Sequence, residues 1–220
     1  MPLQLSHMSE ADIPEFVEVD DLAMGRYAYA KAMVTEGQCR KELIRGFMRV
    51  GFKQDDSNMW VKVVDTQTNE LIAAAMWKFH LEAGQPIEQE TPQQTAEVKN
   101  DHVQENPSDK TSNFWAEGEK RSKKFKAKFV GSQAHADLSI LFTHPQHQRR
   151  GAASMLIKWG CDQADKRGII STLHASSEGY HLYLKHGFEL VEETAIDLRS
   201  WSVNETTIRR AMIRQPKKVI

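Results

Sequence analysis

Leu141-Phe142-Thr143-His144-Pro145-Gln146-His147-Gln148-Arg149-Arg150-Gly151-Ala152-Ala153-Ser154 joins a strand to a helix through a turn of small residues. The apolar run before it, 136–143, reads as a strand that stops at Pro145. The run after it, 148–167, places Met155, Leu156, Trp159 and Ala164 near helical spacing and ends at Gly168. Free N–H groups at a helix start face outward, and the helix dipole favours an anion there. Gly151, Ala152 and Ala153 leave room for a pyrophosphate to reach the backbone, and Arg149 and Arg150 add positive charge. The same small residues also suit an ordinary strand–helix turn chosen for tight packing, and the residues alone leave both readings open. No Gly-Lys-Ser/Thr follows, so the turn is not a P-loop, and no GxGxxG is present for a dinucleotide fold.

Outward from this turn the chain keeps alternating elements. Residues 169–173 read as a second strand in parallel βαβ order, 178–186 as a helix ended by Gly187, and 188–198 and 202–214 as two closing strands. Upstream, 3–7 alternates as a first strand. Ser9 and Asp12 offer a cap before a helix bearing Ile13, Phe16, Val17 and Leu22, with Pro14 near its start. A second helix is expected at about 36–50, with Gly51 as its cap, then strands at 59–64 and 71–81 joined by a polar hairpin. The pattern is α/β (α+β), with a βαβ segment, in a single domain over 1–220. A polar insertion interrupts it at about 84–133. Its first part, 84–110, carries six acidic residues against two lysines and almost no large apolar residue. Its second part reads as a helix over 113–129 bearing Lys120, Arg121, Lys123, Lys124, Lys126 and Lys128, either as a solvated face or as a lid over an anionic ligand.

Composition narrows the function. The chain has 220 residues, 40% hydrophobic and 27% charged, which suits a globular protein with its own core. Lys plus Arg is 29 and Asp plus Glu is 30, too balanced for a protein that binds nucleic acid mainly by charge. No apolar run reaches the roughly 20 residues of a membrane helix, and the N-terminus lacks a signal-peptide pattern. A cytoplasmic location, with a nuclear one as the variant, is expected. Cys39 and Cys161 form no CxxC, and His144-x-x-His147 and His181 with His186 lack the i, i+4 face of a helical zinc pair, so no metal is expected.

The segment Gln148-Arg149-Arg150-Gly151-Ala152-Ala153 resembles motif A, Gln/Arg-x-x-Gly-x-Gly/Ala, of the GNAT superfamily of acyl-CoA-dependent N-acetyltransferases. Thr143-His144-Pro145 resembles the Val-x-Pro that often precedes it, and Tyr183-Leu184-Lys185-His186-Gly187-Phe188 resembles the downstream Tyr-x-x-x-Gly-Phe. The likeness covers about 136–191, and it implies a mixed, mostly antiparallel central sheet flanked by helices. It implies that the 149–153 amides hold the pyrophosphate of acetyl-CoA, with Gln148 opening the motif. It implies too that the backbone of Phe142 and Thr143 pairs with the pantetheine arm, in a cleft where this strand splays from the next. Many members carry an Asn seven residues before the tyrosine. Here that position is Ser176, which keeps a hydrogen-bonding group with a shorter reach.

The resemblance also implies chemistry: an acetyl group moves from acetyl-CoA to an amine by direct attack in a ternary complex. Tyr183 takes the position whose hydroxyl protonates the leaving thiolate, with Tyr180 the nearest alternative. Ala136-Asp137-Leu138 matches the Ala-Glu-aliphatic context of the base in some members, so Asp137 is the candidate base. Simple alternation places Asp137 and Thr143 on one face of their strand. His80 and Glu82 compete as bases. The acceptor is expected to be a small-molecule or peptide amine. The rival reading is a non-catalytic acyl-CoA binding or sensing module.

Overall fold

A computed structural model describes residues 2–34, 37–54, 57–81 and 110–218, the last residues of one helix (53–54) and the first of another (110–112) by backbone alone. The strands are β1 (Leu3–His7), β2 (Asn58–Asp65), β3 (Leu71–His80), β4 (His135–Thr143), β5 (Ile170–Ala175), β6 (Glu189–Asp197) and β7 (Thr206–Arg214). They form one sheet in the order β1-β2-β3-β4-β5-β7-β6. Every neighbouring pair is antiparallel except β4 with β5. The helices are α1 (Ile13–Met24), α2 (Ala28–Ala32), α3 (Arg40–Gln54), α4 (Lys110–Phe129), α5 (Ala152–Arg167) and α6 (Tyr180–Lys185).

The two faces of the sheet are covered by different parts of the chain. On one face, Ala73, Ala75, Trp77 and Phe79 of β3 meet Ala136 and Leu138 of β4 and Leu156, Ile157, Cys161 and Ala164 of α5. On the other, Ala74 and Met76 of β3 and Phe142 of β4 meet Phe16 and Val17 of α1, Met48 of α3 and Phe114 of α4. Strand alternation produces both cores from the same strands. Helix α5 approaches β3 closely, because Gly160 leaves the space that Trp77 fills: a Cβ there would lie 1.9 Å from the indole. The same indole donates to the Leu156 carbonyl at 3.3 Å.

Two local readings change. The cap expected at Gly51 is absent, because α3 runs on to Gln54 and Gly51 packs against the Trp60 ring instead. Helix α2, a single turn rich in alanine, has too few residues to show periodicity, and the sequence pattern missed it. The 84–110 part of the expected insertion lies outside the described residues up to 109. Residues 110–129 form α4, whose Phe114 and Phe125 are buried on the sheet while Lys120 and Lys124 face solvent.

Candidate functional site

The turn after β4 is built by two residues in left-handed conformation. His144 opens it, its Nδ1 accepting from the Gln146 amide at 3.2 Å, and Pro145–His147 form a short 3-10 turn. Arg149 has φ 64° and Gly151 φ 92° before α5 begins at Ala152. Positive φ favours glycine, and a Cβ at Gly151 would meet nothing within 4 Å. The glycine therefore serves the turn and its open outer side, not packing. Among the described residues, the amides of 149–154 have no acceptor. Together they form a concave set of free donors at a helix start, the arrangement an anion needs.

The side chains of this segment divide. Gln148 and Arg149 are exposed, Ala153 is half-buried, and Ala152 is buried under α5. Arg150 is committed elsewhere. Its guanidinium donates to Asp65 at 2.6 Å and to His147 Nδ1 at 2.9 Å, tying the turn to the β2–β3 hairpin. The Arg150 hydrogen bond holds the Asp65 carboxyl below its usual range. The charge expected from Arg150 at the turn is thus spent on Asp65, and only its amide faces the open side.

Beside the turn the sheet opens. β4 and β5 pair only over His135–Leu138 with Ile170–Leu173. Beyond that point β4 stays with β3 as far as Thr143, while β5 stays with β7 as far as Ala175. The gap leaves the 140–143 edge of β4 without a strand partner. Phe142 buries its ring against Phe16, with centroids 4.8 Å apart, so its backbone is what faces the gap.

The register also breaks inside β4. Met76 opposes Ile140 and Trp77 opposes Leu138, which leaves Ser139 as an extra residue. Such a bulge inverts the alternation beyond it. Asp137 lies opposite Lys78 on the α4 face, whereas Thr143 lies opposite Ala73 on the α5 face. The expectation that Asp137 and Thr143 share a face is therefore overturned, because six residues with one bulge are not six residues of plain strand.

Tyr183 is buried on α6, edge-on to Phe188 with centroids 6.0 Å apart. Gly179 makes room for its ring, since a Cβ there would lie 2.9 Å from the phenol. Its hydroxyl has no hydrogen-bond partner among the described residues. Burial pushes its pKa up to about 12, with the charge of Arg209 pulling the other way, so the phenol keeps its proton at neutral pH. Ser176 is exposed, and its Oγ accepts the Gly179 amide at 3.3 Å, closing the turn into α6. Tyr180 lies under the Arg210 guanidinium at 5.0 Å.

Asp137 accepts two hydroxyl donors, Ser139 Oγ and Thr172 Oγ1, each at 2.8 Å. Around it under α4 stand residues the motifs did not single out. His80 stacks on His135 at 4.3 Å, and Lys126 Nζ lies 3.4 Å from His80 Nε2. His174 meets the Phe125 ring at 4.9 Å. Burial lowers His80 and His174 to about 4, and it lowers His135 too, so all three are neutral at pH 7. Glu82 lies outside the described residues. Among the described residues, no group of three or more His, Cys, Asp or Glu side chains is placed to hold a metal ion, and no helix is long and apolar enough to cross a membrane.

A parallel strand–helix–strand with free amides at the helix start, beside a gap in the sheet, is the geometry that the sequence motifs imply. Residues 110–190 match the model of the acetyltransferase (GNAT) domain. Over these residues the chain is similar to that domain. The match begins with α4 and ends in β6, so it spans the gap and both of its walls. No curated protein sequence matches the chain. Solved structures do. The chain is similar to arylalkylamine N-acetyltransferase 2 from Aedes aegypti, at 14% identity and a TM-score of 0.65, over 99% of this chain and 100% of that one. It is similar to a histone acetyltransferase HPA2 and related acetyltransferase from Corynebacterium glutamicum, at 16% identity and 0.62, over 100% and 99%. It is also similar to an N-acetyltransferase from Thermoplasma acidophilum in complex with coenzyme A, at 14% identity and 0.51, over 98% and 99%. At these identities the likeness is one of fold, and the chain matches those structures over almost their whole length.

Proposed function

We propose that the protein transfers an acetyl group from acetyl-CoA to the amine of a small molecule or peptide, by direct attack within a ternary complex. The observation that carries this reading is the gap between β4 and β5, which has an unpaired strand edge on one wall and the free amides of 149–154 at its mouth. Acetyl-CoA fits these features as a substrate. Its pyrophosphate meets the amides at the start of α5, with Arg149 alongside and Gln148, Ala152 and Ala153 shaping the turn. Its pantetheine amides meet the backbone of Phe142 and Thr143, and the Ser176 hydroxyl proton, not used in its own turn, is available as a donor.

The amine nitrogen forms a bond to the thioester carbonyl carbon, and the C–S bond breaks with its electron pair leaving on sulfur. Tyr183 gives that sulfur its proton. A phenol that burial keeps protonated, with no competing hydrogen bond among the described residues, suits this role. The surplus proton of the amine goes to Asp137, directly or through a water. The two hydroxyls fixed on Asp137 orient it from the α4 face, whereas α5 and the pyrophosphate turn occupy the other, so amine and cofactor enter from opposite sides of the sheet. His80 is the weaker candidate base, because burial and Lys126 oppose its protonation.

Calorimetry with acetyl-CoA, followed by thiol release over an amine panel, tests this reading. Binding with amine-dependent release is expected. Binding without release for any amine would leave an acyl-CoA binding module, and no binding would remove the assignment of the turn.

A further inference from the structure

On the α4 face of the gap one arginine stands apart from the others. Half-buried arginines in this fold carry carboxylate partners. Arg40 holds Asp20, Arg150 holds Asp65, Arg210 holds Glu193 and Arg214 holds Asp165, all at 2.6–2.7 Å. Arg209, between two residues of β7 that face the other way, has no acid partner among the described residues. Its guanidinium lies 4.7 Å above the Tyr29 ring of α2. Arg210 lies opposite Ala175, the last residue of β5, so Arg209 stands just past the end of that strand, beside the gap.

Arg121 approaches the same place from α4. Among the described residues its acid partner is Glu117, 3.7 Å away and beyond a good hydrogen bond, and its Nη2 is buried with no partner. Tyr29 connects the two arginines. Its ring lies under Arg209, and its hydroxyl is 3.9 Å from where a Cβ on Gly118 would stand, one helical turn before Arg121. A guanidinium with no acid partner among the described residues, and one held only by a long ion pair, are costly to draw from water, and each presents planar donors shaped for a carboxylate.

We propose that the acceptor is a small amine that also carries a carboxylate, an α-amino acid being the simplest case, and that Arg209 and Arg121 hold this carboxylate under α4 while the amine points into the gap. This rests on the acetyl-transfer reading above, and it names the acceptor class which that reading leaves open. The few bonds between the two groups of an amino acid match an anion site that adjoins the reacting centre.

The test is thiol release from acetyl-CoA with the twenty common amino acids and, as a matched set, their carboxamides, which keep the amine and lose the charge. At least one amino acid should exceed its carboxamide in kcat/KM by about tenfold or more. In Arg209→Gln that ratio should fall toward one, mostly through KM, and Arg209→Lys should restore part of it. Arg121→Gln should lower it less. Acetyl-CoA affinity by calorimetry verifies that each variant is folded. Carboxamides accepted as well as amino acids would overturn this inference and leave acetyl transfer standing. A preference unchanged in Arg209→Gln would overturn the assignment of the residue. Acetyl-CoA binding with transfer to neither set but to another amine of the panel would overturn this inference alone, and transfer to no amine at all would overturn it together with the reading beneath it.

Discussion

The two sides of the gap are built in different ways. The α5 side offers backbone: amides freed by a helix start and by two left-handed residues, with Arg149 the one nearby charge that no described acid holds. The α4 side offers side chains: Asp137 and Thr172 from neighbouring strands, His80 and His174, Lys126 and Arg121 from a helix, Arg209 from the next-to-last strand in the sheet. Backbone recognition needs only a short contiguous segment, and it constrains residue size more than residue type. Side-chain recognition here draws on five elements far apart in the chain, and it constrains nothing that a local pattern would display.

The sharpest way to break this contrast is Gly151→Glu. It places a carboxylate in the open space outside the amides, and acetyl-CoA binding by calorimetry should vanish. Gly151→Asn, which tolerates positive φ and adds no charge, should lose far less. Equal affinity in Gly151→Glu and the wild type would show that the turn does not bind the cofactor.

Next in size are the two proposed proton carriers. Tyr183→Phe keeps the ring against Phe188 and removes the hydroxyl. Turnover should fall by about 10²–10⁴-fold with acetyl-CoA affinity retained. The loss should shrink for a donor with a more acidic thiol. Asp137→Asn should act on the acidic limb of the pH–rate profile, by about 10²-fold, and alkaline pH should restore part of the rate by deprotonating the amine without a base. Near-normal turnover in Tyr183→Phe, where chemistry is rate-limiting, would return that residue to packing.

Within the turn itself, Arg149 and Arg150 separate backbone from side chain. Arg149→Ala should weaken acetyl-CoA binding a few-fold and leave Tm unchanged. Arg150→Met should do the reverse, because it strands Asp65 without its partner and keeps the amide. A drop in affinity from Arg150→Met alone would mean that the guanidinium reaches the cofactor.

The smallest effect concerns stability. His80 and His174 titrate near 4 in the folded protein against about 6.5 when unfolded. Between these values the unfolded chain binds more protons, so stability rises with pH across the window and is lost as pH falls from about 6.5 toward 4. His174→Gln should flatten part of this slope in denaturant titrations at a series of pH values. An unchanged slope would show that His174 does not titrate as a buried group.

Much of the architecture was legible because periodicity and punctuation agree. The βαβ unit announces itself through Pro145, Gly151, Gly168 and Gly187, and the strands of the hairpin fall within a residue of their expected ends. The bulge at Ser139 was not legible. A serine fits either face of a strand, and Ile140-Leu141-Phe142 is apolar throughout, so the sequence gives no phase there until the register with β3 is known. The Arg150–Asp65 pair hid for a different reason: the partners are 85 residues apart, and a motif describes only one of them. His174 sits in an apolar run where a lone histidine carries no signal, and its meaning comes from Phe125 and Asp137, which folding brings to it.

The four residue pairs joining β4 to β5 make the sheet a hinged object. One blade is β1 to β4; the other is β5, β7 and β6. Between Asp137 and Thr172 a hydrogen bond crosses the joint just short of the point where the blades part. Under the acetyl-transfer reading, spreading the tips to admit a bulkier thioester loads this joint, so tolerance for acyl size depends on the Thr172–Asp137 contact at the narrow end of the wedge as well as on the side chains farther along it.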